Sequence, residues 1–207
     1  MPQTAQSSSR RDATRQRRRQ ILDAALECFA SRGYGATTMA HIRDRAGAST
    51  GSIYHHFKSK DHLAAELYLE GIRGSQERGL LALTGCRSAE EGIKALVAAY
   101  LGWVRDHPHL ATFLFTMRHA DFMEPVEERV DQMNRGAFER ASEWFRARIE
   151  SGELPNLAPD VLRAILYGPA AHYARRHLSG EADTDLETAT ERLAQAAWDG
   201  LRGLRGG

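Results

Sequence analysis

The sequence has little cysteine, little proline and no long apolar run. Cys28 and Cys86 are its only cysteines in 207 residues, too few for a disulfide framework and in keeping with a reducing compartment. No apolar stretch approaches the roughly 20 residues that a membrane-spanning helix needs. No apolar segment follows the basic residues near the N-terminus, so a signal peptide is not expected. Period-two alternation is missing throughout, which argues against strands, and no internal repeat is present. There is no Ser/His/Asp constellation, no HExxH and no glycine-rich phosphate motif, so neither an enzyme nor a cofactor is expected. His107 and His109 flank Pro108 without a third ligand of clear type, and no metal site is expected. Glu90-Glu91 and Glu127-Glu128 read as solvated helix faces.

What remains is a chain with 42% hydrophobic and 27% charged residues, enough to build a helical core. Its net charge of +1 hides an asymmetry. Residues 1–62 carry 11 Lys/Arg against 5 Asp/Glu, whereas the remainder carries 17 against 22. A basic end beside an acidic remainder suits contact with a polyanion, or simply a solubilising tail. Residues 1–14, rich in Gln, Ser, Thr and Arg, read as a flexible basic arm. From about Arg15, the residues Ile21, Leu22, Ala25, Leu26 and Phe29 recur on one helical face, and Gly33 and Gly35 stop that helix.

Further on, a segment starting near Ser59 is weakened by Gly71, Gly74 and Gly79. A loop is expected near residues 85–88, then a helix that carries Ile93, Leu96, Val97, Tyr100 and Val104. His107-Pro108 interrupts it, because the residue before proline avoids the helical region. A short apolar segment over 110–117 follows. Pro125 opens a long amphipathic helix that Gly152 and Pro155 end. Pro159 opens another to about Leu178, and the last runs from about Thr184 to Leu204. The chain reads as all-α, with roughly nine helices.

The densest signal lies in residues 37–60, TTMAHIRDRAGASTGSIYHHFKSK. Thr37 or Thr38 suits the N-cap of a helix over 39–46, whose Met39, Ile42 and Ala46 form an inward stripe, and Ala40 is small enough for close packing. Gly47 suits the left-handed turn that ends it. Ser49 or Thr50 caps the next helix, in which Ile53 and Phe57 point inward at i, i+4. Thr50, Gly51, Ser52, Tyr54 and His55 are thereby left outside. Two short helices joined by a glycine turn make a helix-turn-helix, whose second helix can enter the major groove. Small residues let the backbone approach, and hydroxyls bond to phosphates or base edges. Lys60, in the first turn of the following helix, sits where free N–H groups favour a phosphate.

The run GASTGSIYHHFKSKDHL, preceded by TTMAHIRDRAG, resembles the helix-turn-helix of the tetracycline-repressor (TetR-like) transcription regulators. The likeness is sharp over about residues 15–70 and only architectural beyond. His41 and His62 depart from it, each standing where an acidic residue is frequent. The resemblance implies an all-α homodimer with an N-terminal three-helix DNA-binding domain, residues 15–60, and a C-terminal helical effector-binding and dimerisation domain, residues 61–207. It places Thr38, Tyr54, His55 and Lys60 against phosphates, and Thr50, Gly51 and Ser52 against base edges; Ser49 completes the DNA-binding set. The last two helices would pair with those of a second copy, helped by Ala164, Gly168, Ala170, Ala171, Ala194, Ala196 and Ala197. Gly168-Pro169 should kink the first of them.

The large apolar residues after position 90 exceed what a DNA-binding domain needs. Trp103, Phe113, Met117, Phe122, Trp144 and Tyr167, with His172 as a polar anchor, are candidates for the wall of an effector pocket; an apolar or aromatic effector is expected. The expected function is a cytoplasmic, ligand-responsive repressor. A small molecule would release the dimer from a palindromic double-stranded DNA operator, with the signal passing through the helix that starts at Ser59. The alternative is a sequence-tolerant architectural DNA-binding protein without an effector. The Arg-rich arm (Arg10, Arg11, Arg15, Arg17, Arg18, Arg19) would reach the backbone or minor groove, or stay solvated.

Overall fold

Caps, glycines and prolines cut the chain into helices largely where the periodicity does. The computed structural model describes residues 3–204. Among these the helices are α1 (Gln3–Arg32), α2 (Met39–Arg45), α3 (Thr50–His56), α4 (Lys60–Leu83), α5 (Ala89–Asp106), α6 (Pro108–Met117), α7 (Glu124–Glu150), α8 (Pro159–Leu178) and α9 (Leu186–Gly203). A 3-10 turn, Asp121–Met123, precedes α7, and no strand occurs among the described residues. No described helix is long and apolar enough to cross a membrane.

Two compact units form. The first comprises residues 1–70 together with Thr116–Val126, and the second Gly71–Phe115 with the chain from Glu127 onward. The first buries Ile21, Leu22, Phe29, Ile42, Ile53, Phe57, Leu63 and Leu67. In the second, α5 packs on α8 and α9, which also pack on each other. Ile93, Val97, Leu101, Val104, Leu166, Trp198 and Leu201 lie in that core. α4 gives its first turns to one unit and the rest to the other.

Three expectations change. α1 begins at Gln3, not near Arg15. No glycine or proline interrupts it from there, and Arg15 pairs with Asp12 one turn earlier. Residues 11–16 are exposed all the same, and among the described side chains the first fully buried one is Ile21. Ala40, expected to pack closely, is exposed, and the buried residue of α2 is Ile42. Two of the three glycines of α4 are sites of close approach. A Cβ at Gly71 would stand 3.0 Å from Leu114 Cδ1, and one at Gly74 3.2 Å from Trp103 Nε1. The propensity that glycine forfeits, about 1 kcal/mol each, is offset by the packing of neighbouring helices on a bare backbone.

Candidate nucleic-acid interface

α2 is seven residues long and too short to persist alone, so its ends and one buried face must hold it. Thr38 is its N-cap: the Thr38 hydroxyl accepts from the His41 N–H at 3.2 Å, and the Thr38 N–H donates to His41 Nδ1 at 3.3 Å. A histidine therefore closes the capping box that an acid usually closes. Thr37 does a different job. It is the one buried polar side chain among the described residues, and its Oγ1 lies 2.8 Å from the Gly33 carbonyl and 3.1 Å from that of Cys28. It ties the turn after α1 back to α1.

The turn into α3 closes through Gly47, whose φ of +55° is the left-handed region that glycine tolerates. The Ala48 N–H donates to the Arg43 carbonyl at 3.0 Å. Ser49, not Thr50, caps α3, its hydroxyl accepting from the Ser52 N–H at 3.1 Å. Ile53 and Phe57 are 1% and 0% exposed. Burying each is worth about 1.5–3 kcal/mol, enough to anchor a helix this short. The opposite face consists of Thr50, Gly51, Tyr54 and His55, all exposed, with Ser52 half-buried beside them. Tyr54 is 51% exposed, a large aromatic left partly open to solvent on a short helix. A Cβ at Gly51 would meet nothing within 4 Å.

Beyond α3, Ser59 caps α4 by accepting from the His62 N–H at 3.0 Å, and His62 Nδ1 in turn accepts from the Lys58 N–H at 3.2 Å. Both histidines that depart from the family pattern thus act as cap acceptors through Nδ1. Lys60 is half-buried and donates to the Tyr34 carbonyl at 2.9 Å, its ammonium lying 4.2 Å from the centre of the Tyr34 ring. Lys58, exposed between α3 and α4, is a cation at this edge that the sequence pattern did not single out.

The arginines of the basic arm are largely engaged within the first unit. Arg18 bonds Glu66 at 2.7 Å, and its guanidinium stands 5.3 Å from the Phe57 ring centre; Arg19 reaches Asp23 at 2.9 Å and Glu70 at 3.3 Å; Arg17 approaches the Ala46 carbonyl at 3.5 Å. Arg11 is exposed, and the side chain of Arg10 lies outside the described residues. Burial, followed by the charges of His55, Arg18 and Arg17, lowers the pKa of His56, which keeps that ring neutral on the inner side of the basic edge.

The residues expected to line an effector pocket are divided between the two units. Met117 and Phe122 belong to the first unit, where Phe122 packs against Tyr34 at 5.4 Å between ring centres. Trp103, Phe113, Trp144 and Tyr167 lie in the second. Trp103 and Phe113 are buried, Trp144 and Tyr167 half-buried, and His172 is exposed on α8. Polar groups that the periodicity did not reveal sit in the second unit instead. Gln76 donates to Asn134 at 2.9 Å, and the rings of Tyr100 and Tyr167 lie 5.5 Å apart. Burial pushes both phenols up to about 12. A groove of about 520 Å³ runs between α8 and α9, lined by Val161, Ala164, Ile165, Pro169, Leu193 and Ala196 among others.

A capped two-helix unit that sets out small hydroxyl residues, a glycine and a tyrosine on a basic edge defines a helix-turn-helix DNA-binding protein. Comparison with known proteins agrees. Residues 21–67 match the family described as bacterial regulatory proteins, tetR family. The HTH-type transcriptional repressor Rv1474c of Mycobacterium tuberculosis is 32% identical over 72% of this chain and 76% of its own. The repressor AcnR of Corynebacterium diphtheriae is 33% identical over 87% of this chain and 90% of its own. Among solved structures, FadR of Bacillus subtilis in complex with stearoyl-CoA superposes with a TM-score of 0.75, at 21% identity, over 88% of this chain and 98% of its own. The chain belongs to the tetR family, and it is a transcriptional regulator rather than an enzyme.

Proposed function

We propose that the chain is a ligand-responsive repressor that binds a palindromic operator as a homodimer and is released by a small molecule. The observation that carries the DNA half is the outer face of α3: Thr50, Gly51, Tyr54 and His55 stand clear while Ile53 and Phe57 are buried. Thr38, Ser49, Ser52 and Lys60 border it. Tyr54, His55, Thr38 and Lys60 meet phosphates; Thr50, Gly51 and Ser52 face base edges. In a dimer, two such helices enter successive major grooves about 34–36 Å apart. The groove between α8 and α9, with its small residues, is where a second copy packs, each chain giving two helices to a bundle. The named repressors among the relatives support repression.

The effector half rests on the second unit. Its aromatic side chains Trp103, Phe113, Trp144 and Tyr167 suit an apolar or aromatic small molecule, with Tyr100, Gln76 and Asn134 as polar points. The FadR complex, in which the bound molecule carries a long acyl chain, is in keeping with such a ligand. To move the regulator from nearly all bound to nearly all released, the effector must prefer the released conformation by about 10⁴-fold. The site of action is the cytoplasm, where operator DNA lies.

Selection of bound sequences from a random duplex pool tests this reading. A single palindrome with a sharp footprint is expected, and broad retention without sequence preference would instead indicate an architectural DNA-binding protein. Release of the selected duplex by a compound from an apolar small-molecule panel is expected next. Tyr54→Ala should weaken binding to that duplex about ten- to hundredfold, the worth of one hydrogen bond to a charged phosphate, with the melting temperature unchanged.

A further inference from the structure

The connection between α6 and α7 delivers a side chain to the DNA-reading unit. Thr116–Val126 belongs to that unit, although most of α6 and α7 belong to the other. Within the connection Phe122 is buried, and its ring meets the Tyr34 ring at 5.4 Å between centres and 44° between planes. Tyr34, in the turn between α1 and α2, has Phe29 as a second aromatic neighbour at 5.3 Å. The same Tyr34 holds Lys60 twice, by its carbonyl at 2.9 Å and by its ring face at 4.2 Å. Its hydroxyl donates to Asp61, the next residue along α4. Burial and the Asp61 bond keep that phenol well above its usual range, so it stays a donor.

We propose that Phe122 and Tyr34 are positioning residues for DNA binding: the Phe122 ring fixes the Tyr34 ring, and Tyr34 holds the Lys60 ammonium in the pose from which it meets a phosphate. This rests on the reading of Lys60 as a phosphate contact. An ammonium has three donors. One is given to the Tyr34 carbonyl, which leaves two to turn toward phosphate oxygens. A lysine stem that is ordered beforehand forfeits less rotamer freedom on binding, a saving worth about three- to tenfold in affinity. The ring contact adds a second restraint on the ammonium. Because the connection is covalently continuous with α6 and α7, a rearrangement of those helices that withdraws Phe122 loosens Lys60 and leaves α3 itself untouched.

The test is a double-mutant cycle on the full chain. Affinity for the duplex enriched from a random pool is measured by fluorescence anisotropy over a salt series. The proteins are wild type, Lys60→Gln, Phe122→Ala, the double variant and Phe122→Tyr, each with a thermal melt. Lys60→Gln should reduce the salt slope by about one per chain. Phe122→Ala should weaken binding about three- to tenfold in the wild-type background and not at all beside Lys60→Gln, and Phe122→Tyr, which keeps the ring, should restore it. If Phe122→Ala is unfolded at the assay temperature, Phe122→Leu carries the cycle, since it keeps apolar bulk and removes only the ring. Equal losses in both backgrounds, or a silent Phe122 variant beside an effective Lys60→Gln, overturn the positioning role and leave the phosphate contact standing. An unchanged slope in Lys60→Gln overturns both.

Discussion

Gly51→Ala should separate stability from DNA binding more cleanly than any other single change. It adds one methyl group to the first turn of α3, at an exposed position where a Cβ meets no atom within 4 Å. Nothing in the free protein opposes the methyl. Alanine also favours helix over glycine by about 0.5–1 kcal/mol in a helix interior, and by less near the start. The melting temperature should therefore stay level or rise by up to about 2 °C for a chain of this size. In the proposed complex the same methyl lies on the face between Thr50 and Tyr54, which that reading sets against a base edge. Forcing a methyl into a close-packed contact costs about 1–3 kcal/mol, which corresponds to roughly five- to 150-fold weaker binding per half-site. The assay pairs differential scanning calorimetry with anisotropy titration of the selected duplex. A raised melting temperature with unchanged affinity would show that α3 does not press its glycine against DNA. A lowered melting temperature would show that this face is packed against protein.

Other perturbations follow from particular contacts. Gly92→Ala should destabilise the second unit, because its Cβ would fall inside the Trp144 indole, 3.0 Å from Cε2 and nearer still to Cζ2 and Cη2. Displacing that ring also costs its contact with the Arg148 guanidinium, 4.8 Å from the ring centre. A loss of about 1–3 kcal/mol is expected in urea unfolding, and a gain in midpoint would contradict the overlap. Thr37→Val keeps the shape and removes a buried hydroxyl that serves two carbonyls, so it should cost about 1–3 kcal/mol; an unchanged urea midpoint would count against that tie. His56 has a pKa lowered from 6.5 by burial and by neighbouring cations, so the unfolded chain binds its proton more readily than the folded one. Stability from this group is complete above pH 6.5 and declines as pH falls below it. His56→Gln should flatten that part of the melting-temperature profile, and a wild-type slope in the variant would exclude His56 as its source.

Much of this molecule was legible along the chain because it is governed by neighbours in sequence. Gly47 forces its turn through its own φ, Ser49 and Ser59 cap the helices that directly follow them, and Pro108 and Pro159 open theirs. The i, i+4 spacing of Ile53 and Phe57 settles which side of α3 is buried. Even so, the choice between Thr37 and Thr38 as the cap was open. It is decided by Cys28 and Gly33, whose carbonyls draw Thr37 inward and leave Thr38 to cap. His41 and His62 looked like departures from the family pattern, yet an unprotonated ring nitrogen accepts from a backbone N–H as a carboxylate does.

The sequence by itself determined an all-helical chain with a DNA-reading helix-turn-helix near its start. Those properties arise from period, caps and turns, which act over a few residues. Tertiary structure alone decided what the isolated aromatic and glycine residues do. Phe122 stands far along the chain among apolar residues that resemble a pocket wall, yet it packs on Tyr34 of the first unit. Gly71 and Gly74 look like weak points in α4, yet they are where Leu114 and Trp103 come closest to its backbone. The physical reason is that apolar periodicity tells which side of a helix is buried, whereas the identity of the surface that covers it depends on residues brought together from distant parts of the chain.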